Sequence, residues 1–274
     1  MIDRTIYDIF RRGSKTYFYS TLFFPPRVRE DVFALYSFVR TADDYVDAVP
    51  QEVEEFYAFT DRYAAAAAGE ATGDVVIDSF VELAGRKGFD PAWIEAFLRS
   101  MEKDISVGSY RTIRDLEGYL YGSSEAIGLM MARILDLPPE SYPAAQNLGR
   151  AMQYVNFIRD IAEDLALGRT YFPLEEMEAF GLDDLSATAA TRHPDRFAGF
   201  VRFQLRRYRE WQEEAEAGFG HIPRRYRIPI RTASDMYRWT ARTIERDPAV
   251  VHRRKVKPSV FRIVSGAATN TLKA

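Results

Sequence analysis

The 274-residue chain contains no cysteine, so neither a disulfide nor a thiolate metal site is available to it. Its three histidines, His193, His221 and His252, share no spacing suited to zinc and read as loop or surface residues. No apolar run approaches the roughly 20 residues that cross a bilayer as a helix. The first residues lack the charged-then-apolar order of a secretory signal. Neither GxGxxG nor GxxxxGK[ST] occurs, which argues against a conventional Rossmann dinucleotide site. A net charge of −3 gives no broad electrostatic reason to expect nucleic acid. These absences point to a cytoplasmic chain, soluble or peripheral to a membrane, whose chemistry rests on oxygen and nitrogen side chains.

What is present is helical. The chain is 47% apolar and 14% aromatic, enough for a sizeable core, and no sustained alternation argues for strands. After Pro25-Pro26 the spacing predicts a helix over about 28–46, stopped by Pro50. A second helix is predicted from about Glu52 through the alanine run 64–68. Further helices are punctuated by Gly73, by Gly88 to Pro91 and by Pro138-Pro139. A long helix is predicted from Pro143 to about Leu167, ended by Gly168. Residues 168–196 read as a loop with short turns, and helices are predicted over about 196–217 and 231–246. No linker or repeat is visible, so the expectation is one all-α domain over 1–274.

Two segments carry paired aspartates at i, i+4: Asp43 and Asp47, then Asp160 and Asp164. Residues four apart share a helix face, where like charges repel, so something must offset the cost. A shared Mg²⁺ would do so, since this hard ion takes a few carboxylates and completes its shell with water and phosphate oxygens. Two such faces across a cavity could hold a diphosphate. With twenty aspartates in the chain such pairs are cheap, and a third, Asp74 and Asp78, reads as a helix start. The other two differ in their surroundings. Tyr36 and Arg40 precede the first on roughly the same face. Gln153, Asn156, Asp160, Glu163 and Asp164 form one polar stripe on an otherwise apolar helix. The bland alternative is a solvated stripe with Arg159 paired to Glu163.

Ser14-Lys15-Thr16-Tyr17-Phe18-Tyr19 could bind phosphate beside an aromatic wall, but reads first as a helix start capped by Ser14. Glu102-Lys103-Asp104, near Tyr110, could touch a diphosphate but reads first as a solvated helix end. The basic run 252–257 reads first as a solvated face, with an anionic membrane surface or phosphate as the alternative.

Taken together, the motifs and their order resemble the squalene and phytoene synthase family, the head-to-head (1-1′) prenyl transferases, from about Ser14 to about Lys257. The matching segments are Ser14-Lys15-Thr16-Tyr17-Phe18, then Tyr36-xxx-Arg40-xx-Asp43-Asp44-xx-Asp47, then Tyr121-Gly122. The strongest is Gln153-xx-Asn156-xx-Arg159-Asp160-xx-Glu163-Asp164 with Gly168-Arg169 and Tyr171-Phe172-Pro173 behind it. Tyr237 and Arg254-Lys255 are similar to C-terminal elements that close over substrate. The match loosens at 122–128, where Glu125 stands in place of a Val-Ala-Gly type stretch and its direction stays open.

The resemblance implies an all-helical isoprenoid-synthase-type bundle around a central cavity. It implies Mg²⁺, with Mn²⁺ as a substitute, held by Asp43, Asp47, Asp160 and Asp164 with Asn156 assisting. Ser14, Lys15, Arg40, Gln153, Arg159 and Arg254 would bind the diphosphates of two prenyl substrates. Tyr17, Tyr36, Tyr121 and Tyr237 would line the cation path or bond the diphosphate. The implied reaction passes through a cyclopropylcarbinyl diphosphate. Two geranylgeranyl diphosphates giving phytoene is the favoured pair. Farnesyl substrates giving dehydrosqualene, or squalene with NADPH, come second. Hydrolysis to a prenyl alcohol and a non-catalytic isoprenoid-binding protein are the remaining alternatives. The product would be too apolar for water, which makes a peripheral membrane contact an expectation. Oligomeric state is left open.

Overall fold

The computed structural model of the protein describes residues 2–273. Helix α1 (Arg4–Gly13) starts at Asp3, whose carboxylate accepts from the Thr5 amide at 2.7 Å. Helix α2 (Lys15–Thr21) follows directly, capped by Ser14 Oγ accepting from the Tyr17 amide at 3.3 Å. Helix α3 (Pro26–Asp47) is slightly longer than predicted, because Pro26 sits in its first turn where no intrahelical donor is needed. Around α3 wrap α4 (Val53–Ala67), α5 (Val75–Lys87) and α6 (Pro91–Ser106). Phe38 of α3 stacks on Phe80 of α5 at 3.8 Å and is fully buried. Truncating a buried ring of this kind costs about 3–5 kcal/mol.

The aspartates of the third pair hold the start of α5. Asp74 accepts from the amides of Val76 and Ile77, and Asp78 accepts from Thr72 Oγ1 at 2.7 Å. Helix α7 (Ile113–Leu120) runs through a π-helical turn over Tyr121–Glu125 into α8 (Ala126–Ile134). Helix α9 (Tyr142–Ala166) ends at Gly168, which takes φ +74°, a value that favours glycine.

The stretch predicted as a loop contains two short helices, α10 (Leu174–Ala179) and α11 (Ala187–Arg192), the second capped by Ser186. Helix α12 (Pro194–Ala217) lies along α9. Helix α13 (Arg224–Arg246) begins seven residues earlier than predicted and passes through Pro229. The proline lies within the second turn, so the interruption costs one backbone hydrogen bond near an end that frays anyway. Helix α14 (Val250–Arg253) is a single turn, and α15 (Val260–Lys273), which the sequence reading did not mark out, packs on α13 and α2.

The architecture is the all-α one expected. Among the described residues there is no strand beyond a lone parallel bridge between Ser109 and Thr170. No helix among them is long and apolar enough to cross a membrane. Two apolar clusters form the core. One is built mainly on α1 to α6 and α8, the other on α7, α9, α12 and α13, and Tyr17 and Leu148 pack against both. Between the clusters lies a cavity.

Candidate active site

The cavity has a volume of about 690 Å³ and is polar at one end. The C-terminal half of α3 supplies Tyr36, Arg40, Asp43 and Asp47. The middle and end of α9 supply Gln153, Asn156, Arg159, Asp160, Glu163 and Asp164. The α9 stripe therefore lines the cavity, and the solvated alternative is excluded. Arg159 pairs with its neighbour Asp160, at 2.8 Å from Nε to Oδ1, and not with Glu163, which is held by Lys255.

Each carboxylate of the first three positions is turned on a cation of the chain. Arg40 Nη1 lies 2.7 Å from Asp43 Oδ2, and the same guanidinium pairs with Asp44. Asp47 Oδ1 lies 2.6 Å from Arg169 Nη1, and Asp160 also meets Lys255 Nζ at 3.2 Å. As arranged, no three of these carboxylates converge on one point among the described residues. Among the described residues the Asp164 carboxylate has no ion-pair or hydrogen-bond partner, and only the more distant charge of Arg169 favours its ionised form.

Burial, then the charge of Asp47, pushes the Asp43 carboxyl up to about 7 in spite of Arg40. Burial, then the charges of Asp160 and Asp47, holds Asp164 well above the usual carboxylate range. The amide oxygen of Asn156 is buried and unpartnered. Crowded hard oxygen donors without enough positive charge, and an orphaned amide oxygen among them, fit a divalent ion such as Mg²⁺. Asp43, Asp47, Asn156, Asp160 and Asp164 are the residues that could hold it.

An aromatic wall closes one side of the polar end. Tyr17 of α2 lies 5.6 Å from Tyr237 of α13 and 6.4 Å from Tyr36, ring centre to ring centre. Tyr36 is stacked on Phe10 at 3.9 Å. Burial raises all three phenols, so they stay neutral donors. Ser14 and Lys15 line the same end.

Two of the anticipated residues lie elsewhere. Tyr121 is exposed and Arg254 points to solvent, and neither lines the cavity. Tyr119, two residues earlier and so on the opposite side of the same helical turn, is the cavity tyrosine of this segment. Beyond Arg254, it is Lys255 and Lys257 that line the cavity. Glu125 is buried and faces away from the cavity, 2.7 Å from Arg150 Nε. His252 is half-buried, with its ring 5.3 Å from Phe197, and is not a surface residue.

Asp104 is the other residue the sequence reading misplaced. It is buried rather than solvated, accepting from Tyr119 Oη at 2.6 Å and Tyr171 Oη at 3.0 Å. Burial pushes its carboxyl up to about 6, opposed by Arg169 and by the two phenol hydrogen bonds. Two tyrosines and an aspartate from separate helices and a loop have no common sequence spacing, which is why no motif marked them.

A helical bundle holding two opposed carboxylate helices over a deep cavity is the architecture of an isoprenoid-synthase-type enzyme. The sequence profile of squalene/phytoene synthase matches residues 10–262. The chain belongs to the squalene/phytoene synthase family and is a prenyltransferase. It is 28% identical to the 15-cis-phytoene synthase of Synechococcus elongatus, over 97% of this chain and 91% of that one. The structure is similar to a crystal structure of a dehydrosqualene synthase, with TM-score 0.86 and 24% identity over 98% of this chain and 94% of that one. It is also similar to squalene synthase HpnC from Alicyclobacillus acidocaldarius, with TM-score 0.78 and 23% identity over 88% and 92% of the two chains. These last two likenesses concern the fold.

Proposed function

We propose that the whole chain acts as one catalytic domain that joins two prenyl diphosphates head to head (1-1′), through a cyclopropylcarbinyl diphosphate, and that two geranylgeranyl diphosphates giving phytoene are its substrates and product. The observation that carries this reading is the opposition of Asp43 and Asp47 to Asp160 and Asp164 at the charged end of a cavity whose remainder is mainly apolar. The similarity to a 15-cis-phytoene synthase along nearly all of both chains favours the longer substrate.

Mg²⁺ held by the four aspartates and Asn156 would supply the positive charge that turns diphosphate into a leaving group. Arg40, Arg159, Lys15 and Lys255 surround the same space and grip phosphate oxygens by charge-assisted hydrogen bonds. These contacts strengthen as negative charge gathers on the departing oxygen, so they act on the transition state more than on bound substrate. Tyr17, Tyr36 and Tyr237 present neutral rings to the allylic cation left behind, and π faces tolerate that charge without trapping it. The apolar walls hold both chains and keep water from the cation. The departing diphosphate takes the proton lost on ring closure, since no side chain of the apolar wall is basic.

Product analysis by chromatography and mass spectrometry tests this, with purified protein, Mg²⁺ and each prenyl diphosphate supplied with and without NADPH. A C40 hydrocarbon formed without NADPH is expected. A C30 product would assign farnesyl substrates, and a prenyl alcohol or no product would overturn the coupling reaction.

A further inference from the structure

Charge is spread unevenly along this chain. From Arg224 to Arg262 there are twelve arginines and lysines against three acids, in a molecule of net charge −3. Some are committed: Arg238 to Glu216, Arg253 to Asp247, and Lys255 to Asp160 and Glu163. Arg224, Arg225 and Arg242 are exposed and have no carboxylate within ion-pair distance among the described residues.

Exposed apolar side chains are uneven too. Eight large ones occur among the described residues, and five of them are Leu22, Phe23, Phe261, Val264 and Leu272. Phe261, Val264, Ala268 and Leu272 recur at helical spacing, so they form one outward stripe on α15, while Ile263, Ala267 and Asn270 face inward. Phe261 is 82% exposed and Leu272 90%, which leaves the stripe without a partner inside the molecule.

The two apolar groups belong to one corner. Tyr17 near the start of α2 meets Tyr237, and Phe24 just past its end meets Tyr226 at 6.2 Å. In α15, Arg262 lies over Trp239 and Asn270 bonds Thr232 and Asp235. Both helices therefore run antiparallel to α13, which brings Leu22, Phe23 and Leu272 to the end of α13 that carries Arg224 and Arg225. Behind that corner lies the apolar end of the cavity, lined by Phe24, Ile222 and Ile230.

We propose that the outer stripe of α15 and the α2–α3 turn together form a docking face for a bilayer rich in anionic lipid. An amphipathic helix with apolar residues outward and arginines beside them is the arrangement that seats a protein at the headgroup boundary. A second copy of the chain is the competing occupant. An isologous contact would set this arginine-rich end against itself, and like charge disfavours that. The run 252–257 is not the docking surface, because Lys255 and Lys257 turn to the cavity. The proposal does not depend on the reaction assigned above, since vesicle binding alone reads it out.

The test is flotation of the full chain with vesicles of phosphatidylcholine alone and of phosphatidylcholine mixed with phosphatidylglycerol. Three double variants are compared: Leu22→Ser with Phe23→Ser, Phe261→Ser with Leu272→Ser, and Arg224→Glu with Arg225→Glu. The wild type is expected to float with the anionic vesicles at low salt and not with phosphatidylcholine. Each double variant should bind about tenfold more weakly or worse, with unchanged helical circular dichroism and unchanged turnover in detergent. No flotation of the wild type, or equal flotation of wild type and variants, would overturn the proposal. So would a concentration-dependent dimer in sedimentation that the variants abolish, which would give the face to a second copy.

Discussion

Arg169, on the turn after α9, holds Asp47 at the end of α3 with 2.6 Å between Nη1 and Oδ1. Its other nitrogen donates to the backbone carbonyls of Val46 at 2.6 Å and Asp104 at 3.1 Å. One guanidinium thus shares with Gln51 Nε2 the carbonyls in the last turns of α3 and α6, which have no intrahelical donor of their own, and aims a candidate metal ligand.

Replacing Arg169 should accordingly cost both stability and activity. Arg169→Met removes a buried cation and leaves Asp47 without its ion-pair partner, at about 3 kcal/mol, while Gln51 Nε2 still donates to both carbonyls. Arg169→Lys keeps the charge but not the fork that reaches three partners, so it should recover only part of the loss. Urea midpoints of the three proteins check this, and a Lys variant equal to wild type would show that the charge alone suffices.

Asp43 behaves differently, because it is desolvated beside Asp47. Asp43→Asn relieves that repulsion, and Arg40 keeps Asp44 as its partner. The fold should therefore be as stable as wild type or more so, while turnover falls by about a thousandfold or more if the carboxylate serves charge development. Melting curves and product formation measured on the same sample separate these effects. Wild-type turnover in this variant and in Asp160→Asn would remove the two-motif mechanism, and full activity of the wild type in a chelator would exclude the metal.

Gly13 lies against the site without contributing a side chain. A Cβ there would stand 2.5 Å from Tyr36 Oη and 3.2 Å from Arg40 Cγ. Gly13→Ala must therefore displace a tyrosine and an arginine that line the polar end. Turnover should fall by roughly tenfold to a hundredfold, since sub-ångström misplacement is costly in a charged site. Steady-state kinetics decide it, and unchanged kcat would mean that α1 yields instead.

The two tyrosines at the end of α7 give a sharper comparison. Tyr119→Phe removes a phenol that donates to Asp104 at the cavity wall, whereas Tyr121→Phe alters an exposed ring. The first should lower turnover by about tenfold or more and the second by less than about twofold. The opposite ranking would show that the turn shifts in the working enzyme.

How far the chain could be read from its sequence follows from the range of each signal. The carboxylate stripes were legible because i, i+4 spacing on a helix is a local property that survives in the fold. The facing of α3 and α9 was a hypothesis from the paired carboxylates, and resemblance strengthened it. The clamp from Arg169 to Asp47 spans 122 residues, and no spacing rule reaches that far. Tyr119 was passed over for Tyr121 because Tyr121 was placed by resemblance to a motif, which carries no information on which side of the helix faces the cavity. Helix α13 was read too short because Pro229 is an ordinary stop signal, overridden here by packing of Tyr226 against Phe24. Asp104 was read first as solvated because its charged neighbours Glu102 and Lys103 are, and only the fold turns it inward.

Asp104 also carries a pH dependence whose sign can be worked out. Its carboxyl is pushed up to about 6 in the folded protein, first by burial, against roughly 3.9 when unfolded. Between those values the folded state keeps a proton that the unfolded state has lost. Stability contributed by this group is thus fully present below the unfolded value, falls as pH rises through the window, and stays flat above the folded value. The loss is at most about 3 kcal/mol, from a shift of about two units. Asp104→Asn removes the titration, so its stability should decline less than that of wild type between about pH 4 and pH 6. Asp43 and Asp164 contribute declines of their own in both proteins, and because the Asp104 charge raises both, removing it lessens those declines in the same direction. Parallel urea-midpoint profiles for the two proteins would mean that the tyrosine hydrogen bonds outweigh burial at Asp104, and that its carboxylate is ionised throughout this range.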